Sequence, residues 1–359
     1  MFRLKSILTA IAISASLPQL ALAADLPTST AVPDRFDEMP DPIHWTGKFS
    51  HSQDGEWKEK SGLPTNQWMP VGQDPRAVVL AIHGLTLHGG SYEVLARGFA
   101  SGAFVFVAPD MLGYGRNAQP DAPPEMRKIN NEKSYQHIVK LLEALNQKYP
   151  QLPIAVLGES LGTSFSIRLA AEHPKLVDAV IVAAPTSKVN PLMYMHPETI
   201  AEGIRALFRK GHQMSYKVFF NELVSDEPQI IEELKNDPLN LKMMPLKGLL
   251  ETQKFVSKTD KWAKGIAKDT PILVLQGSRD KAMVPKAVTR LTKRIDSTDQ
   301  TIRWMTGYSH LLLETDYLRP AALDAISDFI DDHDDDRQKI KQELYGEMIR
   351  FGAKQLKDE

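Results

Sequence analysis

Apolar residues fall into short runs separated by helical patterns along most of the chain. Residues 77–82, 104–108, 153–157, 177–183 and 271–275 are brief, rich in β-branched side chains and flanked by turn residues, which is the pattern of fully buried strands. A further strand is predicted at 301–305. Between them, apolar residues recur at helical spacing: Tyr92, Leu95, Ala96 and Phe99, then Ile138, Leu141, Leu142 and Leu145 within 131–147, then 161–173, 286–295 and 319–330. Strands that alternate with amphipathic helices predict an α/β fold, a mainly parallel central sheet flanked by helices on both faces. Two shorter strands are expected at 49–57 and 67–71, split by a turn at Ser61-Gly62-Leu63-Pro64.

The rhythm breaks between 186 and 264. Helical pieces at 198–210, 213–224, 228–235 and 246–257 follow one another without a buried strand, so this stretch reads as a helical cap over the sheet edge. Met193, Met195, Met243 and Met244 either line an apolar pocket or pack the cap itself. The resulting organisation is a signal peptide at 1–23, a lead-in at 24–48, a first core half at 49–185, the cap at 186–264, a second core half at 265–332, and a charged linker with a C-terminal helix at 333–359. The signal assignment rests on Arg3 and Lys5, the apolar run 6–17, and Ala21-Leu22-Ala23 as a small-x-small cleavage site. It predicts export to a bacterial periplasm or the medium. Ile340, Leu344, Met348 and Phe351 give the tail helix an apolar stripe, which suits docking on the body, self-pairing or membrane contact.

Composition narrows the chemistry. The net charge of −2 over 359 residues offers no basic surface for nucleic acid. With no cysteine, disulfides, a thiol nucleophile and thiolate metal sites are excluded. Neither a paired-histidine zinc spacing nor a phosphate or dinucleotide fingerprint occurs, so no metal and no cofactor are expected.

Candidate chemistry gathers where strands end. Gly158-Glu159-Ser160-Leu161-Gly162 joins the 153–157 run to a helix, and a sharp strand-to-helix turn presents its central side chain above the sheet edge. A serine hydroxyl needs a base, and the base needs an orienting acid. His310 follows the 301–305 strand and Asp280 follows the 271–275 strand, which gives the order Ser160, Asp280, His310. Asp110, also at a strand end, is the rival third member, although with Gly113 and Gly115 it suits a turn. The oxyanion donors would be the backbone amides of Leu161, after the nucleophile, and Leu85, after the 77–82 strand. His83 suits bracing that loop, and Glu159 should point away from the reacting side.

These motifs resemble the α/β-hydrolase superfamily, and within it the monoacylglycerol lipase and lysophospholipase-like branch. The resemblance lies in HGLTLHGGSY at 83–92, PDMLGYGRN at 109–117, GESLG at 158–162, QGSRDKAMVP at 276–285 and GYSHLLLE at 307–314. It implies a Ser160–Asp280–His310 triad, an oxyanion hole at Leu85 and Leu161, and cofactor-free hydrolysis of carboxylic esters under a lid. Two positions depart from the family pattern. Thr163 stands where another glycine is common, and Asn117 where serine is usual. The expected substrate is a small-molecule or lipid ester of an apolar acyl group, with a transient membrane-surface contact and no nucleic-acid partner. The alternatives are a thioester, aminoacyl-peptide or carbon–carbon bond cleaved by the same triad, or a non-catalytic binding protein on the same fold. Sequence does not set the oligomeric state.

Overall fold

A computed structural model describes residues 47–186, 197–209, 212–284, 286–330 and 332–333. The expected signal peptide, most of the lead-in, Met193, Met195, and nearly all of the acidic run and tail helix lie outside those residues.

The described residues form ten strands: β1 (Lys48–Gln53), β2 (Thr65–Val71), β3 (Ala77–Ile82), β4 (Phe104–Pro109), β5 (Ile154–Glu159), β6 (Ala179–Ala183), β7 (Gln213–Ser215), β8 (Met243–Pro245), β9 (Ile272–Gly277) and β10 (Gln300–Met305). Eight of them form one sheet in the order β1-β2-β4-β3-β5-β6-β9-β10. Only β2 runs against its neighbours; the pairs from β4 through β10 are parallel. The helices are α1 (Gly55–Ser61), α2 (Glu93–Ser101), α3 (Asn131–Lys148), α4 (Leu161–Glu172), α5 (Pro197–Phe208), α6 (Pro228–Asn236), α7 (Leu246–Val256), α8 (Thr259–Ala263), α9 (Lys286–Thr292) and α10 (320–330).

Alternation along the strands builds two apolar layers. Val78, Leu80 and Ile82 of β3, with Ile154, Val156, Ile272 and Val274, pack under α3, α4 and α9 through Ile138, Leu142, Phe165 and Leu291. Val79, Ala81, Leu157, Leu273 and Leu275 face the other way, onto Leu95 and Phe99 of α2 and Ile326 and Phe329 of α10. Both faces of the inner strands are dry, which is why they read as unbroken apolar runs rather than alternating ones.

Two local expectations are corrected. The strand expected over 49–57 stops at Gln53, because Asp54 and Gly55 take φ of +65° and +48° and turn the chain into α1; Gly62 at φ +79° then closes that helix. In the cap, 213–215 is not helical but pairs antiparallel with 243–245 as a short ribbon. The other regular elements among the described cap residues are helical, and Phe219, Phe220, Val224, Ile230 and Leu234 join the apolar layer above β3 and β5.

Candidate active site

The turn at Ser160 is built by close approach. A Cβ at Gly162 would lie 1.9 Å from the Ile82 carbonyl oxygen of β3, and one at Gly158 would lie 2.3 Å from the Gly162 carbonyl carbon. Only glycine lets α4 start this near the sheet. Ser160 is held at φ +50°, a conformation unfavourable for a side-chain-bearing residue. The surroundings fix it: its amide donates to the Ala183 carbonyl (2.9 Å), and its own carbonyl accepts from the Thr163 amide and the Thr186 hydroxyl (both 3.1 Å). Thr163, at the position where glycine is common, turns its hydroxyl back to the Gly158 carbonyl and causes no clash.

The loops after β9 and β10 bring the other two groups to the same place. Asp280 accepts from the amides of Ala282 (2.9 Å) and Met283 (2.8 Å) and from the Gln276 side chain (3.0 Å). Its second oxygen lies 2.9 Å from His310 Nδ1, and His310 Nε2 lies 2.9 Å from Ser160 Oγ. An ionised carboxylate can only accept, so it puts the ring proton on Nδ1 and leaves Nε2 free to accept from the serine hydroxyl. Burial works against charge on both groups, but each partner outweighs it for the other: Asp280 is held below the usual carboxylate range and His310 above the usual imidazole value. The three residues named from strand ends therefore meet.

Asp110 is not part of this relay. Its carboxylate accepts from the Gly89 amide and from the Arg116 side chain and amide. It shapes the turn after β4, and Asn117 closes that turn by donating to the Asp110 and Met111 carbonyls. His83 braces the neighbouring loop as expected: Nδ1 donates to the Gly84 carbonyl and Nε2 accepts from the Met111 amide. Burial lowers its pKa to about 4, so it stays neutral.

Leu85 and Leu161 lie where the expectation put them, on the loop after β3 and at the first position of α4. Among the described residues neither of their amides has a hydrogen-bond partner. Both flank Ser160, and an α-helix start leaves its first amides free. The pocket at the hydroxyl is lined by Leu85, Leu87, Phe219, Phe220, Val224 and Leu234. Of Met193, Met195, Met243 and Met244, the two described do not line it: Met244 packs inside the cap against the Tyr216 hydroxyl, and Met243 is exposed.

Sequence reasoning missed a pair of buried glutamates. Glu159 does turn away from the serine side, but into the His310 loop, where it accepts from the amides of Leu312, Leu313 and Glu314 at 2.6–3.0 Å. Glu314 reaches the other loop and accepts from the Gly84 amide at 2.9 and 3.0 Å. A charged residue at the last buried position of an inner strand was the available signal for Glu159; nothing local marks Glu314.

The sheet order, the strained serine between two obligatory glycines and the relay behind it define an α/β-hydrolase. Residues 73–316 match the family described as serine aminopeptidase, S33, and the chain belongs to that family. It is similar to human monoglyceride lipase, 26% identical over 246 residues that span 68% of this chain and 78% of that protein. Monoacylglycerol lipase from Mycolicibacterium smegmatis is 25% identical, over 68% of this chain and 84% of its own length. Among solved structures, that of Paleococcus ferrophilus monoacylglycerol lipase superposes with a TM-score of 0.59 at 21% identity, covering 80% of this chain and 99% of that one. A soluble variant of Saccharomyces cerevisiae monoglyceride lipase with a substrate analog gives 0.62 at 19% identity, covering 76% and 92%. The fold is thus that of the superfamily the sequence motifs resembled.

Proposed function

We propose that this protein is a serine hydrolase that cleaves carboxylic esters of apolar acyl groups, with monoacylglycerol or lysophospholipid as the substrate class, through an acyl-enzyme. Ser160 attacks the ester carbonyl while His310 takes its proton, and Asp280 stabilises the imidazolium. The Leu85 and Leu161 amides receive the oxyanion. His310 then protonates the leaving alcohol and activates the water that releases the acid.

The observation that carries this reading is the apolar lining beside a complete hydroxyl–imidazole–carboxylate relay. The names of the relatives point the same way. The family description favours a second reading, cleavage at the N-terminal residue of a peptide. Such a substrate brings an ammonium group, which needs an ionised carboxylate in the pocket. Among the described lining residues the single carboxyl is Glu314, whose pKa burial raises and which already holds the Gly84 amide, so the ester reading is preferred.

Ile200, Ile204 and Phe208 form an exposed apolar stripe along α5, and Phe208 is 85% exposed. The stripe supports a transient contact with a lipid surface, from which an apolar ester could be drawn. Export rests on the N-terminal sequence alone, and Edman sequencing of the protein recovered from outside the cytoplasm checks it: a first residue of Ala24 is expected.

The function is tested with a chain-length series of acyl esters beside monoacylglycerol and aminoacyl amides, with Ser160→Ala as the blank. Turnover rising with acyl length, and fluorophosphonate labelling that Ser160→Ala abolishes, are expected. Turnover of aminoacyl amides alone would sink the ester reading.

A further inference from the structure

We propose that Glu314 is a positioning residue for the reaction above: its buried carboxyl holds the Gly84 amide and so fixes the loop that carries the Leu85 amide beside Ser160. The inference rests on the ester-hydrolase reading and adds to it a residue outside the triad and the oxyanion hole.

The geometry is specific. Gly84 precedes Leu85, and its amide points at both Glu314 oxygens. A Cβ at Gly84 would lie 2.9 Å from Glu314 Oε2 and 3.5 Å from Ser160 Cβ, so the missing side chain is what lets the carboxyl come in beside the nucleophile. Glu314 is itself fastened, since its amide donates to Glu159. Glu159 is covalently next to Ser160, and one loop, after β10, carries both His310 and Glu314. The two carboxyls therefore tie three segments together: the oxyanion loop, the nucleophile turn and the histidine loop. Beneath the oxyanion loop, His83 sets the other side through the Gly84 carbonyl and the Met111 amide.

The charge state follows from the surroundings. Both glutamates are fully buried, and burial raises both pKa values. Glu159 has three amide donors, which favour its ionised form; Glu314 has one, and it also faces the Glu159 charge. The other titratable groups around the pair are His310 and Tyr92; Tyr92 donates to the Ile82 carbonyl and accepts from the Glu159 amide. Burial and the neighbouring Glu159 carboxyl both favour the protonated form of Glu314. That suits its place, because a negative charge in the Ser160 pocket would oppose the oxyanion that forms there.

Two near-isosteric variants separate holding from filling. Glu314→Gln keeps a carbonyl acceptor for the Gly84 amide and is neutral; Glu314→Met keeps the length and removes the acceptor. With an ester that the unmodified enzyme turns over, Glu314→Gln should keep kcat within about threefold. Glu314→Met should lose tenfold or more in kcat with KM within twofold, and its fluorophosphonate labelling should slow in parallel. If Glu314→Met keeps kcat within twofold, the hydrogen bond does not position the loop. If Glu314→Gln itself loses tenfold or more in kcat, the neutral-acceptor role is wrong, and that arm decides the matter even where Glu314→Met does not fold. Failure of the unmodified protein to hydrolyse or label is a separate result and counts against the functional reading itself.

Discussion

The sheet edge and the cap above it are held together in different ways. At the edge, each reactive group has several independent restraints: the Ser160 backbone makes three hydrogen bonds, and Asp280 accepts from three donors besides His310. The described cap meets the core through bonds spread over its surface rather than gathered on single groups. The Val224 carbonyl accepts from His310 and Leu311, the Leu241 amide donates to Thr86, and Asn131 binds Glu251 and Thr252. Its outer side also leaves Ile200, Ile204, Phe208 and Leu250 in solvent. The contrast teaches that the geometry around Ser160 is set by backbone packing that tolerates little change, whereas the cap lines the pocket with apolar side chains and is fastened largely by polar side chains at its edges.

The sharpest way to break the edge is at the relay. Asp280→Asn should lower kcat by about 10⁴ while leaving the fold intact, because the amide lets His310 take the wrong tautomer. Steady-state kinetics beside a thermal melt check this, and a loss below tenfold would remove Asp280 from the mechanism. Next comes packing. Gly162→Ala places a methyl against the Ile82 carbonyl at a distance no real contact shows, and should cost about 3 kcal/mol or more of stability. Chemical denaturation measures it, and an unchanged midpoint would contradict the close approach of α4 and β3.

Titration is a gentler probe. His310 must be neutral to accept the serine proton, and Asp280 holds its pKa above the ordinary 6.5. The value of kcat/KM should therefore rise with pH through a midpoint above 6.5, since the protonated form that Asp280 favours is the inactive one. A midpoint below that value would mean that burial outweighs the carboxylate. The smallest effect is expected on the cap. Ile204→Glu combined with Phe208→Glu should change turnover of a short soluble ester by less than twofold, yet reduce sedimentation with phospholipid vesicles. An equal loss on the soluble ester would show that α5 shapes the pocket rather than the surface.

Much of this architecture could be read from letters alone, for physical reasons. β3, β4, β5, β6 and β9 are buried on both faces and so appear as apolar runs; Ser160 and Asp280 come just after two of them, whereas His310 follows β10, a largely exposed edge strand. Where periodicity is short, reading fails. Gln213–Ser215 and Met243–Pro245 are too brief to show a period of two, and the end of β1 depends on backbone angles at Asp54 and Gly55. The Glu314–Gly84 contact joins positions 230 residues apart, and a glutamate after a histidine carries no mark of which amide it will meet.

The Val224 carbonyl serves two successive amides, the first of them that of the proposed base. Raising this part of the roof strands both donors beside the imidazole at once, an expense of about 1–3 kcal/mol for each that stays dry. A displacement of Val224 would thus be felt at the imidazole through two backbone bonds that no side-chain substitution removes.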